Sequence, residues 1–390
     1  MKKHILFVIN SLGLGGAEKS LTSLLNTMDY DRYDVDLLMF QPGGMFRKLL
    51  PEHVHVLPQL PFLKSNQSIK KQLAHPKYFA ARMAASAGLR LNRGKQPLHP
   101  TQCYWKYAGW AFDPLPGEYD AAIAWGQGNP THYVAEKVNA KTKIAFVNVN
   151  YESAGHRREC DLPYYEQYNT IVNVSDDLTT LMKQVFPTLA ERMVTIYDIN
   201  NAEMISRMSV ASNPFAGEAA KPIIVTAGRL TPQKGYDLAV EAAKLLAQRE
   251  VPFKWFFVGE GSSRTQIEKM VQQYNLDAQI VLTGAKENPY VYMKNADIYV
   301  QTSRFEGYCL TLAEARMLNT PVISTNFDVV YNQLRDGENG LIVNMNPTTI
   351  ADAIQRLWED TELRQHIVEN LRAEKKGNVE EIEKLYKLIR

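Results

Sequence analysis

Apolar residues fall along this chain in short, nearly continuous runs. His4 to Asn10 (centred on ILFVI), Asp34 to Phe40 (DVDLLMF), Tyr119 to Trp125 (YDAAIAW), Lys143 to Val149 (KIAFVNV), Thr170 to Val174 and Val194 to Tyr197 each have the length of a strand. Such runs read as strands buried on both faces, as in a parallel sheet covered by helices. Between them lie glycine loops and helical spacings, such as Leu21, Leu24 and Leu25 after SLGLGGAEKS. After residues 202 to 221, which read as a linker, the alternation resumes with Pro222 to Ala227, Lys254 to Val258, Gln279 to Thr283, Ala296 to Gln301 and Pro321 to Ser324. Two such series in 390 residues predict an α/β chain of two Rossmann-like, doubly wound parallel-sheet domains, 1–200 and 201–375, with an amphipathic terminal helix from Val379 to Ile389.

Composition changes this picture little. The apolar share is 45%, the charged share 22% and the net charge +2, all ordinary for a globular chain. The three cysteines, Cys103, Cys160 and Cys309, have no metal-ligand spacing and fit a reducing cytosol. MKKHILFVIN reads as a first strand and not as a signal peptide. No apolar run is long enough to span a bilayer, so any membrane contact is peripheral. The distribution of charge is more telling. From His53 to Phe112 there are nine Lys or Arg (Lys64, Lys70, Lys71, Lys77, Arg82, Arg90, Arg93, Lys95, Lys106) and no Asp or Glu. Ser68 to Leu91 has helical spacing through Ile69, Leu73, Phe79, Met83 and Leu89, and Tyr104, Trp105, Tyr107 and Trp110 follow. A basic, aromatic, acid-free segment suits an anionic membrane surface or a lipid-linked acceptor; a solvated helical insertion is the alternative. No nucleic-acid motif accompanies the charge, so nucleic acid is not expected as a partner.

The chemistry concentrates in Ser303 to Ala315, SRFEGYCLTLAEA. It leaves a predicted strand, offers Glu306 and Gly307 at the turn, and opens a helix that carries Glu314 about two turns on. Backbone N–H groups at a helix start suit a phosphate, and the flanking carboxylates suit hydroxyls. Together they describe a nucleotide sugar. A second loop, Gly228-Arg229-Leu230-Thr231-Pro232-Gln233-Lys234-Gly235, presents a guanidinium fork and an ammonium point charge to an anion.

These motifs resemble those of retaining glycosyltransferases of family 4, which have the GT-B fold of two Rossmann-like domains facing a cleft. The resemblance covers nearly the whole chain. It is strong from Ala227 to Leu341, where the two loops, Gly259-Glu260-Gly261, Gly284-Ala285-Lys286 and Asp336-Gly337-Glu338-Asn339-Gly340-Leu341 keep their order, and weak over residues 41–118. It implies that Arg229 and Lys234 clamp the leaving diphosphate and that Glu306 holds donor sugar hydroxyls. It further implies that Gly307, Tyr308, Cys309, Leu310 and Thr311 present N–H groups, and that Glu314 takes the ribose. Gly15 and Gly16 would face donor phosphate and acceptor; a tight turn needing glycine is the alternative. Gly228 and Gly259 would pack near the nucleotide, and Gly284 and Ala285 would read the base. By the same resemblance the terminal segment, 376–390, crosses back onto the first domain.

The acceptor side departs from the family. Gly126 and Asn148 stand where related sequences often carry histidines, and Asp198-Ile199-Asn200-Asn201 matches the usual turn only loosely. Gln127, Asn129 and His132 are the candidates there, with a capping or packing role as the alternative for His132. Asp34-Val35-Asp36 spells D-x-D, but at a strand entry it reads as structural, so no metal or other cofactor is expected.

The implied activity is transfer of a hexosyl group from a nucleoside diphosphate sugar, with UDP the expected nucleotide, to a saccharide or lipid-linked acceptor. The segments QGNPTHYVAEK and KIAFVNV look most like bacterial surface-polysaccharide transferases. The implied location is the cytoplasm or the inner face of the cell membrane. A GT-B nucleotide-sugar epimerase and a non-catalytic partner subunit of the same fold are the alternatives.

Overall fold

A computed structural model describes residues 2–13, 15–64, 75–93, 97–219 and 222–389. The chain divides into two units, Met1–Ile199 with Val379–Arg390, and Asn200–Asn378.

Unit 1 is built on a seven-stranded sheet of order β3-β2-β1-β4-β5-β6-β7. The strands are β1 (Lys3–Ile9), β2 (Tyr33–Met39), β3 (Val54–Val56), β4 (Tyr119–Trp125), β5 (Ala140–Val147), β6 (Thr170–Asn173) and β7 (Met193–Thr195). All pairs are parallel. Ile5 to Val8 and Ala121 to Ala124 are fully buried, as expected where helices cover both faces. The terminal helix Ile382–Leu388 packs on this unit. Tyr386 stacks on Tyr33 with ring centroids 4.9 Å apart, and its hydroxyl accepts from the Asp29 N–H at 2.8 Å.

Unit 2 is built on a six-stranded sheet of order β10-β9-β8-β11-β12-β13. Its strands are β8 (Ile223–Ala227), β9 (Lys254–Val258), β10 (Ile280–Gly284), β11 (Ile298–Gln301), β12 (Val322–Thr325) and β13 (Leu341–Val343), again all parallel. In each sheet the strand order reverses at one point, between β1 and β4 in unit 1 and between β8 and β11 in unit 2. Loops leaving the carboxyl ends of strands diverge there and open a crevice.

Three local features differ from expectation. Edge strands β3 and β13 are not among the predicted runs: Val54–Val56 is interrupted by His55, and the D-G-x-x-G-x-L turn runs straight into Leu341. The supposed linker is in part the helix Ala202–Ser209, N-capped by the Asn201 side chain, which accepts from the Met204 N–H at 2.9 Å. Its Ile205 is buried in a core cluster of unit 2, with Met208 packed against it, which ties the helix to that unit. The basic helix spans Pro76–Leu91; Ile69, Lys70, Lys71, Leu73 and Lys95 lie outside the described residues. Among the described residues, no helix is long and apolar enough to cross a membrane.

Candidate active site

The loops carrying the two strongest motifs leave β8 and β11, the neighbouring strands at the reversal point of unit 2. They are tied along their length. Arg304 N donates to Gln233 O at 2.8 Å, Gln233 Nε2 to Phe305 O at 2.9 Å and Thr302 Oγ1 to Lys234 O at 2.9 Å. Arg304 forks onto Asp237 at 2.9 and 2.6 Å. Gly235 sits in the left-handed region (φ 64°), and a Cβ there would drive into the Thr302 carbonyl, so glycine is required where the loops touch.

This stitching brings Lys234 against Glu306. Lys234 Nζ lies 2.6 Å from Glu306 Oε1, with the two side chains only 12% and 7% exposed. Burial alone would push the Lys234 ammonium down, but the Glu306 carboxylate overrides it and holds it above the ordinary lysine value. Ser303 Oγ donates to the same carboxylate oxygen at 2.5 Å. Arg229 differs. It is exposed, and among the described residues its guanidinium has no partner, so it remains available to an anion.

Gly307, Tyr308 and Cys309 lead into the helix Leu310–Met317, whose first turn contains Thr311. Cys309 is its N-cap and takes the left-handed conformation (φ 69°) although it is not glycine. Such strain persists only where the surroundings impose it. Here the buried Cys309 thiol is packed among core residues and is pushed up by burial. Glu314 follows on the same helix, buried, and accepts from the Tyr290 hydroxyl at 3.2 Å.

Gly228 and Gly259 meet behind the loop from β8: a Cβ on Gly259 would strike the Gly228 carbonyl. Gly284 ends β10 in the left-handed region (φ 73°), followed by Ala285. Asp336 accepts from the Ile342 N–H at 2.8 Å, so the D-G-x-x-G-x-L turn closes on β13.

In unit 1, Gly15 is the N-cap of the helix Gly16–Leu25 with φ −164°, extended backbone that any residue adopts; a turn needing glycine's freedom does not account for it. Gln127 bridges the ends of β4 and β5, accepting from Asn148 N at 3.0 Å and donating to Val149 O at 2.7 Å. Asn129 starts the helix Asn129–Lys137. The amide oxygen and nitrogen of Asn148 are buried and find no partner among the described residues, a polar group that reading it as a lost histidine had passed over.

His132 takes the packing role. It is 1% exposed, and its Nε2 lies 2.8 Å from Asp161, which also receives the Tyr151 hydroxyl at 2.7 Å. Burial alone would raise the Asp161 carboxyl, but bonds from His132, His156 and Tyr151 hold it well below the carboxylate range. The His156 ring stacks on His99 at 4.0 Å, and the half-buried His99 is pushed down to about 4 by burial, reinforced by His156. A histidine depressed in the folded state resists a proton that the unfolded chain accepts near pH 6.5, so its contribution to stability is lost as pH falls from about 6.5 to 4. Discounted for exposure, the loss is about 1–2 kcal/mol. Thermal unfolding of wild type and His99→Gln at pH 7.5 and 5 should show a smaller acid-induced drop in the variant.

D-x-D splits by role. Asp36 is buried and accepts from His4 at 3.1 Å, His55 at 2.9 Å and the Tyr119 hydroxyl at 3.0 Å, while Asp34 faces solvent near Lys2. Asp36 is thus a structural anchor between strands.

Comparison with known proteins agrees with this geometry. The family model described as glycosyl transferases group 1 matches residues 212–374. A Staphylococcus aureus poly(ribitol-phosphate) alpha-N-acetylglucosaminyltransferase is 31% identical over 165 residues, 41% of this chain and 33% of that protein. A Campylobacter jejuni N-acetylgalactosamine-N,N'-diacetylbacillosaminyl-diphospho-undecaprenol 4-alpha-N-acetylgalactosaminyltransferase is 24% identical over 249 residues, 63% of this chain and 66% of that one. The chain thus spans between a third and two thirds of the length of these relatives. Among solved structures, Anabaena HepE in complex with UDP and glucose superposes with a TM-score of 0.70 at 17% identity, covering 99% of this chain and 98% of that one. The chain therefore has the two-unit GT-B fold, and its residues 212–374 match the family model of glycosyl transferases group 1.

Proposed function

We propose that this chain is a retaining, metal-independent glycosyltransferase. It moves a hexosyl group from a UDP-sugar to a saccharide or lipid-linked acceptor in bacterial surface-glycan synthesis. The observation that carries this reading is the pairing, at the reversal point of unit 2, of an exposed Arg229, without a partner among the described residues, with a Lys234–Glu306 ion pair.

As the diphosphate departs, negative charge grows on its oxygens. Arg229 forks onto them, and Lys234, with two protons not committed to Glu306, adds a point charge from the same loop. N–H groups at Tyr308 to Thr311 complete the anion cradle. Glu306 accepts from sugar hydroxyls and Glu314 from the ribose. The leaving phosphate oxygen takes the acceptor proton, so no protein base is required and His132 has no part in the chemistry. On the acceptor side, Gln127, Asn129 and the unpartnered amide of Asn148 would meet hydroxyls, with Gly15 and Gly16 at the neighbouring loop. Calorimetric titration with UDP, GDP and ADP in EDTA tests the donor site: UDP should bind, and a requirement for a divalent cation would overturn metal independence.

The acceptor's lipid would bring the enzyme to the inner face of the cell membrane. The Campylobacter relative is itself named for a diphospho-undecaprenol substrate. Six of the twelve exposed large apolar side chains among the described residues lie between Phe79 and Trp110, which concentrates them on the basic segment. Exposed Phe79 and Met83 sit one turn apart on the helix Pro76–Leu91, and exposed Leu91 ends it, with Arg90 on the same helix and Arg93 just beyond it. Such a surface suits the interface of an anionic bilayer. Met83→Asp with Leu91→Asp should lower sedimentation with phosphatidylglycerol vesicles about tenfold, with little change on zwitterionic ones.

A further inference from the structure

Glu306 is held by a side chain that the family motif does not include. Gln301 is the last residue of β11 and is 1% exposed. Its Oε1 accepts from the Tyr299 hydroxyl at 2.8 Å and from Thr311 Oγ1 at 3.1 Å. Its Nε2 donates to Ser303 Oγ at 2.7 Å and, more weakly, to Glu306 Oε1 at 3.4 Å. The amide can face only one way. A carboxylate accepts and never donates, so the NH2 group must lie on the Glu306 side. With Gln301 donating to Ser303, the Ser303 proton is directed onto Glu306. Glu306 Oε1 thus receives three donors, from Lys234, Ser303 and Gln301, while Oε2 receives none from the described residues. Three donors on one oxygen fix the carboxylate plane and leave the other oxygen to a ligand.

We propose that Gln301 is a positioning residue: acting chiefly through Ser303, it sets the orientation in which Glu306 presents Oε2 to a donor sugar hydroxyl. The proposal rests on Glu306 being the sugar-binding carboxylate. The same amide also accepts from Thr311 in the first turn of the helix Leu310–Met317, but the backbone of that turn is held by its own helix hydrogen bonds.

Two measurements separate this role from the reading it rests on. The first needs no turnover: melting temperatures of wild type, Gln301→Met, Glu306→Gln and the double variant. Positioning predicts that the two shifts are less than additive, since each variant breaks the same contact; strict additivity overturns it. The second uses UDP-glucose, UDP-galactose and their N-acetyl derivatives. With whichever donor the wild type turns over, Gln301→Met should lower kcat by about 10–10²-fold with UDP affinity within about twofold. Unchanged kcat, or UDP affinity lost in parallel, overturns the proposal. Gln301→Glu supplies a signature that simple damage does not. Two adjacent carboxylates share one proton, so its turnover relative to wild type should recover as pH falls; a flat ratio argues against positioning. If wild type turns over none of the four donors, the donor reading fails and the melting cycle alone decides.

Discussion

Glu306→Gln is expected to lower donor turnover by about 10²–10³-fold while leaving UDP affinity nearly intact. The carboxylate lies against Lys234 at 2.6 Å and Ser303 at 2.5 Å, so its position is fixed before a ligand arrives. Gln preserves volume and one acceptor but removes the negative charge that, in the proposed mechanism, faces a sugar turning oxocarbenium-like. On the proposed assignment the nucleotide is held elsewhere, by Arg229, by Glu314 and by the helix start, so binding of UDP alone should not sense the change. Steady-state kinetics with the accepted donor, beside a UDP titration, separates the two effects. Equal loss in both would place Glu306 on the nucleotide instead of the sugar.

Arg229→Ala and Lys234→Ala should both lower kcat/KM by about 10²–10³-fold, the loss of one electrostatic donor in a preorganised site. They should differ in stability. Arg229 is exposed and unpartnered among the described residues, so its removal should leave the melting temperature unchanged. Lys234 neutralises a Glu306 that is 7% exposed, so its removal strands a buried carboxylate and costs up to about 3 kcal/mol. Thermal unfolding of the two proteins checks the contrast. Equal destabilisation would mean that Arg229 has a structural partner, and none in Lys234→Ala would mean that the ion pair does not persist in solution.

The fold was legible where strands are long and buried on both faces: ILFVI, YDAAIAW and the strands around the two motif loops announce themselves as apolar runs. The edge strands Val54–Val56 and Leu341–Val343 were not: VHV carries a histidine at its centre, and Leu341 follows directly on the D-G-x-x-G-x-L turn. The helix Ala202–Ser209 was hidden behind the Asn213-Pro214 and Gly217 punctuation that follows it, although Asn201 and the apolar Met204, Ile205 and Met208 marked it. At the candidate site, residue types at fixed spacing marked Arg229, Lys234, Glu306 and Glu314 as candidates. The spacing did not show that Lys234 and Glu306 pair with each other, since that contact spans 72 positions and depends on β8 lying beside β11. Gln301 was read only as the end of a strand, because a single buried amide has no sequence signature. His132 shows the converse: a histidine just beyond the loop after β4, on the helix Asn129–Lys137, whose partner, Asp161, comes from a later helix and turns it inward.

The most direct test is release of nucleotide from a panel of UDP-, GDP- and ADP-sugars by the purified protein in EDTA, with and without saccharide or lipid-linked acceptors. The account predicts slow UDP release from one UDP-sugar, faster with an accepted acceptor and lost in Glu306→Ala. No release from any donor by a folded protein would contradict it and favour a non-catalytic partner subunit. A UDP-sugar converted to its epimer without release would contradict it in favour of an epimerase.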